Sequence, residues 1–269
     1  MIFGKKIISY LRKLQIGESV RDLGLEGQLQ KKGTPTMGGL IIILSIIVPT
    51  LLFARLDNIY IILMIVTTLW LGLIGFADDY IKVFKKRKAG LAGKFKILGQ
   101  VVLGVIVGGV LYFSDDVVVR DRADIVQPGI EEVNSINVFD ENEEKTIEYI
   151  DHKSTITTIP FAKSNEFNYR SLLWFVKDPG VWIWIIFVIA VILIITAVSN
   201  GANLNDGLDG LATGNSSIIG ATLGVLAYVS GNFIAADYLN IMYIPYVGEL
   251  VIFMSAFIGA TIGFLWYNS

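Results

Sequence analysis

Residues 59–82 read IYIILMIVTTLWLGLIGFADDYIK. From Ile59 to Ala77 no side chain carries a charge. A membrane-spanning helix needs roughly 20 apolar residues, so this run is long enough for one. It ends abruptly on two adjacent aspartates, Asp78 and Asp79, followed by Lys82. A span with acids fixed at its edge is the pattern that organises the rest of the chain.

Five further apolar runs flank it: Gly38–Ala54, Ile97–Phe113, Val181–Val198, Leu211–Val229 and Tyr246–Tyr267. Leu211–Val229 is rich in Gly, Ser and Thr but free of charge, and Glu249 lies near one end of the last run. Small residues inside such runs suit close helix contacts in lipid. The expected fold is therefore all-α: a polytopic membrane helix bundle with about six transmembrane helices, forming one membrane domain over residues 1–269. Composition agrees, with 54% hydrophobic and 17% charged residues and a mean hydropathy of +0.62. Soluble domains average about 45–50% apolar and about 25% charged. The composition excludes disorder and argues against an ordinary soluble domain.

A net charge of −2 gives no hint of nucleic acid. With no cysteine, disulfides, thiolate metal sites and cysteine nucleophiles are excluded. The single histidine, His152, sits in an acidic stretch that offers no Ser-His-Asp arrangement. Residues 1–16 alternate basic and apolar groups, as a helix end or interfacial helix does, without the long apolar core of a secretory signal.

Orientation follows from lysine and arginine in short loops. Segments 1–37 and 78–96 each hold seven, and they share one side if the spans alternate. The long segment 114–180 on the other side also holds seven, but against fourteen Asp and Glu. The basic side is expected to face the cytoplasm. The acidic loop at 114–180 is expected outside, with strands near Val117–Val119 and Ser154–Ile159 and a charged turn at Asp140–Glu144. Its expected form is a small solvated appendage with room for a β-hairpin.

Four polar clusters fall on the basic side. The first is Lys31-Lys32-Gly33-Thr34-Pro35-Thr36-Met37-Gly38-Gly39, where the chain enters its first run. Threonines, helix-start N–H groups and lysines can receive phosphate oxygens. The second is the Asp78-Asp79 pair. Acids at a helix C-terminus face the negative end of the helix dipole, so a cation must compensate, either Lys82 or a bound metal. Paired carboxylates suit magnesium, which leaves its other positions to water and phosphate, or one can serve as a base. The third is Lys85-Lys86-Arg87-Lys88 and then Gly93-Lys94-Phe95-Lys96. Most of it reads as charge at lipid headgroups, with Lys94 placed to reach an anionic substrate. The fourth is Asn200-Gly-Ala-Asn203-Leu-Asn205-Asp206-Gly207-Leu208-Asp209-Gly210. Its convergent amides and carboxylates can hold a base or a sugar. Together these point to a cytoplasm-facing, magnesium-dependent site for a phosphate ester, with a second substrate reached from the bilayer.

At KKGTPTMGG (31–39), GFADDYIKVFKK (75–86), GLAGKFK (90–96) and NGANLNDGLDGLATG (200–214) the sequence resembles the phospho-N-acetylmuramoyl-pentapeptide-transferase family. The resemblance implies transfer of phospho-N-acetylmuramoyl-pentapeptide from UDP-N-acetylmuramoyl-pentapeptide to undecaprenyl phosphate, with release of UMP, at the bacterial inner membrane. It implies a magnesium cofactor, lipid contact, no nucleic acid, and a homodimer as one admissible assembly. Asp78 and Asp79 would be the catalytic carboxylates, with Asp78 also the metal ligand within this chain. Lys31, Thr36 and Lys94 would face the polar substrate. Asn203, Asp206, Gly207, Leu208 and Asp209 would build the nucleoside pocket, and Asn268 would join them. Related polyprenyl-phosphate N-acetylhexosamine-1-phosphate transferases share the Asp-Asp pair but not usually GTPTMGG. Family members have ten spans, a Gly-Asp metal motif and a histidine triplet, the latter two beyond Ser269, and a Thr where Asn205 stands. The chain is therefore read as a central piece of such an enzyme, with little turnover of its own. A non-catalytic membrane fragment is the remaining alternative.

Overall fold

The computed structural model describes residues 38–85, 89–122, 134–140, 143–159, 166–174, 180–205 and 210–268. Helix α1 is Gly39–Phe53, α2 Ile59–Val83 and α3 Gly93–Phe113. After five short strands come α4 (Gly180–Asn205), α5 (Leu211–Ser230), the short α6 (Phe233–Leu239) and α7 (Leu250–Asn268). Among the described residues four helices are long and apolar enough to cross a membrane, or five if the α5–α6 pair, bent by 104°, is counted as one span. The protein is thus a multi-pass membrane protein, and each of the six expected runs is a helix over its described residues. Helix α1 falls short because it is described over only 15 residues, about 22 Å of rise. Helix α5 passes the same test only together with α6, across a break at Gly231 and Asn232.

Large apolar side chains face outward along the helices, among them Leu73, Leu193, Ile218 and Val225, while the buried set is small. That inverts the soluble pattern and fits a hydrocarbon surround. Several hydroxyls within the spans bond to their own helix or to a neighbour, whereas the buried Tyr60 and Thr196 hydroxyls have no hydrogen-bond partner. The Thr50 hydroxyl donates to the Ile46 carbonyl at 2.7 Å. The Ser217 hydroxyl on α5 donates to Thr261 Oγ1 on α7 at 2.8 Å, and Thr261 donates to the Phe257 carbonyl at 2.9 Å.

Two packing units make up the bundle. In one, α3 runs antiparallel to α4, with Gly104 against Ile192 and Gly108 against Val188. In the other, α7 packs on α5 and α1, and Ile46, Ile61, Phe253 and Ala260 form the core. Helix α2 joins them: the Trp70 indole donates to the Gly99 carbonyl of α3 at 2.9 Å. In lipid no hydrophobic drive pulls helices together, so close backbone approach at glycine is what provides the contact.

At the end of the bundle bearing Phe113 and Ile59, β1 (Val119–Arg122), β3 (Glu143–His152) and β2 (Asn134–Asp140) form an antiparallel sheet in the order β1-β3-β2. Strands β4 (Ile156–Thr158) and β5 (Glu166–Asn168) pair separately. The expected strands near 117–119 and 154–159 are present with shifted bounds, and Asp140 pairs Glu143 at the expected turn. Strands β2 and β3 form the hairpin for which the loop had room, and β5 had no expected counterpart. Arg120 pins this sheet to the bundle: its guanidinium makes two bonds to Asp151, at 2.6 and 2.8 Å, and lies 3.9 Å from the Tyr149 ring centroid. Its N–H donates to the carbonyl of Tyr243 at 3.1 Å. The Asp151 bonds hold the Arg120 guanidinium protonated beyond its ordinary range, against the opposing cost of burial.

A Cβ added at Gly104 would lie 2.8 Å from the Ile192 Cα, whereas nothing lies within 4 Å of one added at Gly109. Gly104→Leu should therefore destabilise the chain by about 1–3 kcal/mol through overpacking, and Gly109→Leu should not. Denaturant unfolding of both variants in detergent checks this.

Candidate active site at one end of the bundle

Six helix ends converge on the end opposite the sheet. Helix α2 ends there with Asp78 to Val83, and α3 begins there at Gly93. The α3–α4 register carries the C-terminal end of α4 to the same place. The Gln100 amide, 4% exposed, donates to the Ser199 hydroxyl at 3.0 Å and accepts from the Asn200 amide at 2.9 Å. Asn203 and Asn205 follow within the next turn and a half of α4. Gly210, at φ +76°, starts α5 against Leu265 of α7, and Gly38 sits against the Phe264 ring. The left-handed turn at Gly210 is one that a side chain would strain.

Asp78 is the centre of this end. Its side chain is 10% exposed and both carboxylate oxygens are engaged. Oδ2 pairs with the Lys82 ammonium at 2.7 Å, one helical turn on. Oδ1 pairs with Lys96 at 3.0 Å and accepts the Leu91 N–H at 2.8 Å. The cation needed at this helix end is thus supplied by Lys82, as its i,i+4 spacing suggested, and by Lys96, which no local pattern indicated. Gly90, at φ +65°, lies so close to Asp78 that an added Cβ would collide with the carboxylate and come within 2.8 Å of Lys82 Cε. Tyr80 stacks on Phe84 with centroids 4.8 Å apart, beside this loop.

Asp79 is half-buried next to Asp78. Lys94 is exposed at the start of α3, its ammonium 5.3 Å from the Phe95 ring centroid. Asn203 is exposed near the end of α4. Asn268 closes α7. Lys31, Thr36, Asp206, Gly207, Leu208 and Asp209 lie outside the described residues, although Gly38, Asn205 and Gly210, which flank their segments, all sit at this end. Gln100, Ser199, Lys96 and Gly90 went unrecognised as site-supporting residues.

Among the described residues no three His, Cys, Asp or Glu side chains cluster to hold a metal ion. Magnesium keeps several waters and needs open carboxylate oxygens. Asp78 Oδ1 is taken by Lys96 and the Leu91 N–H beneath Gly90, while Oδ2 carries Lys82 alone. The described side chains by themselves do not make up a ligand set for that ion.

Residues 153–269 match the glycosyl transferase family 4 model, and residues 31–43 match phospho-N-acetylmuramoyl-pentapeptide-transferase signature 1. Over 269 residues the chain is 58% identical to the phospho-N-acetylmuramoyl-pentapeptide-transferase of Flavobacterium psychrophilum, covering all of this chain and 64% of that protein. It is 58% identical over 267 residues to the enzyme of that name from Parabacteroides distasonis, covering 99% of this chain and 61% of the relative. The chain thus spans slightly under two thirds of the length of these relatives.

Gly90→Ala is expected to cost about 1–2 kcal/mol from its left-handed backbone alone and to push the loop off Asp78. The Leu91 amide should then exchange with solvent deuterium faster than in the parent chain.

Proposed function

We propose that this chain, similar along its whole length to the phospho-N-acetylmuramoyl-pentapeptide-transferases, carries the polar-substrate face of such an enzyme. The donor is UDP-N-acetylmuramoyl-pentapeptide and the acceptor undecaprenyl phosphate. An oxygen of the lipid phosphate attacks the sugar-bearing phosphorus, the phosphoanhydride bond breaks, and UMP leaves. The observation that carries the reading is the convergence of Asp78, Asp79, Lys82, Lys94 and Lys96 on the bundle end where the asparagine-rich segment also terminates.

The residues divide the work. Lysines at a membrane edge focus positive potential and raise the local concentration of a charged nucleotide. Lys31 and Thr36 belong to the same face by sequence. Asp79, beside the engaged Asp78, is the carboxylate assigned to the lipid phosphate. Asn203 and the Asp206–Asp209 segment are assigned to the nucleoside, with amide and carboxylate groups suited to a base and a ribose. The Gln100–Ser199–Asn200 bonds fix the rotation of α4 that presents Asn203. A divalent ion remains part of the proposal through the resemblance, and none of the described acids is given to it. The basic end faces the cytoplasm in this reading, where sugar nucleotides are made.

The N-acetylhexosamine-1-phosphate alternative is not favoured, because the relatives of high identity carry the muramoyl name.

In the enzyme that contains these residues, radiolabelled UDP-N-acetylmuramoyl-pentapeptide should yield lipid product and UDP-N-acetylhexosamine should not; the reverse preference overturns the assignment. Asp79→Asn should lower transfer by about 10²–10⁴-fold, the span of a positioned acid or base. Because the chain has no cysteine, single-cysteine labelling reads orientation directly. Ala89→Cys should react only from the cytoplasmic side and Asp116→Cys only from the opposite side.

A further inference from the structure

We propose that a polar cavity at the sheet-bearing end of the bundle seats the headgroup of a membrane lipid carrying both a primary ammonium and a phosphate, the chemistry of phosphatidylethanolamine. The inference is independent of the transferase reading.

The cavity has a volume of about 230 Å³ and is lined by Arg55, Asp57, Asn58, Asp116 and Tyr246. Four helix ends supply these residues. Arg55, Asp57 and Asn58 lie between the end of α1 and the start of α2, Asp116 follows the end of α3, and Tyr246 precedes α7. The charge-free runs stop where these residues begin, which places the cavity at headgroup depth. Leu52, Phe53 and Leu56, close to Arg55 in the chain, are exposed and give acyl chains an apolar surface.

Charge selects the occupant. Arg55, Asp57, Asp116 and Glu249, whose Oε2 accepts the Arg55 backbone N–H at 3.2 Å, carry one positive and three negative charges. The neighbouring Asp115 is neutralised by Lys153 at 2.8 Å. The site therefore favours a cation. Among the described residues no three acids are grouped to hold a metal ion, so the cation that fits is an organic ammonium. Among the same residues the Asp116 carboxylate has no hydrogen bond or ion pair and is open to an N–H donor. The exposed Tyr246 ring lines the same cavity, and aromatic faces attract ammonium groups. Tyr246 stands at φ +65° with the Asn58 amide bonded to its carbonyl at 2.9 Å.

Arg55 suits the other half of the headgroup. Its guanidinium bonds Asp57 through Nη2 at 3.0 Å, which leaves further N–H groups for a phosphate oxygen. The buried Tyr60 hydroxyl has no hydrogen-bond partner and lies within electrostatic range of Asp116. A buried donor without an acceptor is costly, and a headgroup oxygen would supply one. Ion pairs as exposed as these are individually weak. A lipid is confined to the same surface as the cavity, however, and its high effective concentration makes weak selectivity count.

The test uses the 269-residue chain in detergent, with dioleoyl phosphatidylethanolamine, phosphatidylglycerol and phosphatidylcholine titrated separately and bound lipid counted by native mass spectrometry. Phosphatidylethanolamine should bind about fivefold more tightly than phosphatidylglycerol, which has the phosphate but no ammonium; that is the scale of one exposed ion pair. It should also bind more tightly than phosphatidylcholine, whose methylated ammonium has no N–H for Asp116. Equal affinity for phosphatidylethanolamine and either competitor overturns the proposal. Asp116→Asn alters a carboxylate that bonds nothing in the described fold, and should bring the preference over phosphatidylglycerol close to one. Asp121→Asn changes an exposed acid of the sheet outside the cavity and should leave the preference intact. A preference that survives Asp116→Asn, or that falls equally in Asp121→Asn, overturns the site. Arg55→Gln tests the phosphate. Loss of a positive charge tightens ammonium binding if no phosphate is held there, but should weaken phosphatidylethanolamine about threefold if one is. Unchanged or tighter binding by Arg55→Gln overturns the proposal.

Discussion

Hydrocarbon offers no partner to a peptide N–H or carbonyl, and every other feature of this protein is arranged around that fact. The backbone answers with helices that close their own hydrogen bonds. Thr50 and Thr68 within the spans answer the same way, on the carbonyls of Ile46 and Met64. What remains polar is driven to the two ends of the bundle. Helix contacts must then be made without a hydrophobic drive, and glycine provides them at Gly104 and Gly108 on α3 and at Gly220 on α5, against Phe257.

The two ends solve different problems with the surplus polar groups. At the sheet-bearing end the groups close on one another. Arg120 is held between aromatic rings and bonded to Asp151, and the Asn58 amide donates to the Tyr246 carbonyl at 2.9 Å. That end is a structural clasp. At the other end Lys82 and Lys96 gather on the one carboxylate of Asp78, and both ammonium-bearing side chains are more exposed than it is. An ion group of this kind is weak support for stability, because desolvation offsets most of its attraction. Its value lies in fixing where positive charge stands.

Asp78 illustrates how a locally unfavourable choice becomes specific. An acid at the C-terminal end of a helix opposes the helix dipole. Left alone it would cost stability. Bonded to Lys82, Lys96 and the Leu91 amide, it instead ties the end of α2 to the start of α3 through the intervening loop. Gly90 is required there for two separate reasons, its positive φ and the absence of space for a Cβ. The buried Gln100 plays a matching part between α3 and α4, so three successive elements are registered at one end by polar side chains.

The amino-acid order alone determined the membrane bundle, because charge-free runs near bilayer length have few other destinations, and it determined which polar clusters share an end, because spans alternate. It also supplied Lys82 as the partner of Asp78, since four residues make one helical turn. It did not reveal the 104° bend between α5 and α6, which lies just past the end of the 211–229 run. It allowed for a hairpin about Asp140–Glu144 without bounding its strands, although Ile136 and Val138, then Ile147 and Tyr149, alternate with polar residues as strands do. Only the tertiary structure paired Lys96 with Asp78 and Gln100 with Ser199 and Asn200. Those contacts cross between elements, where distance is set by how helices pack and not by spacing along the chain.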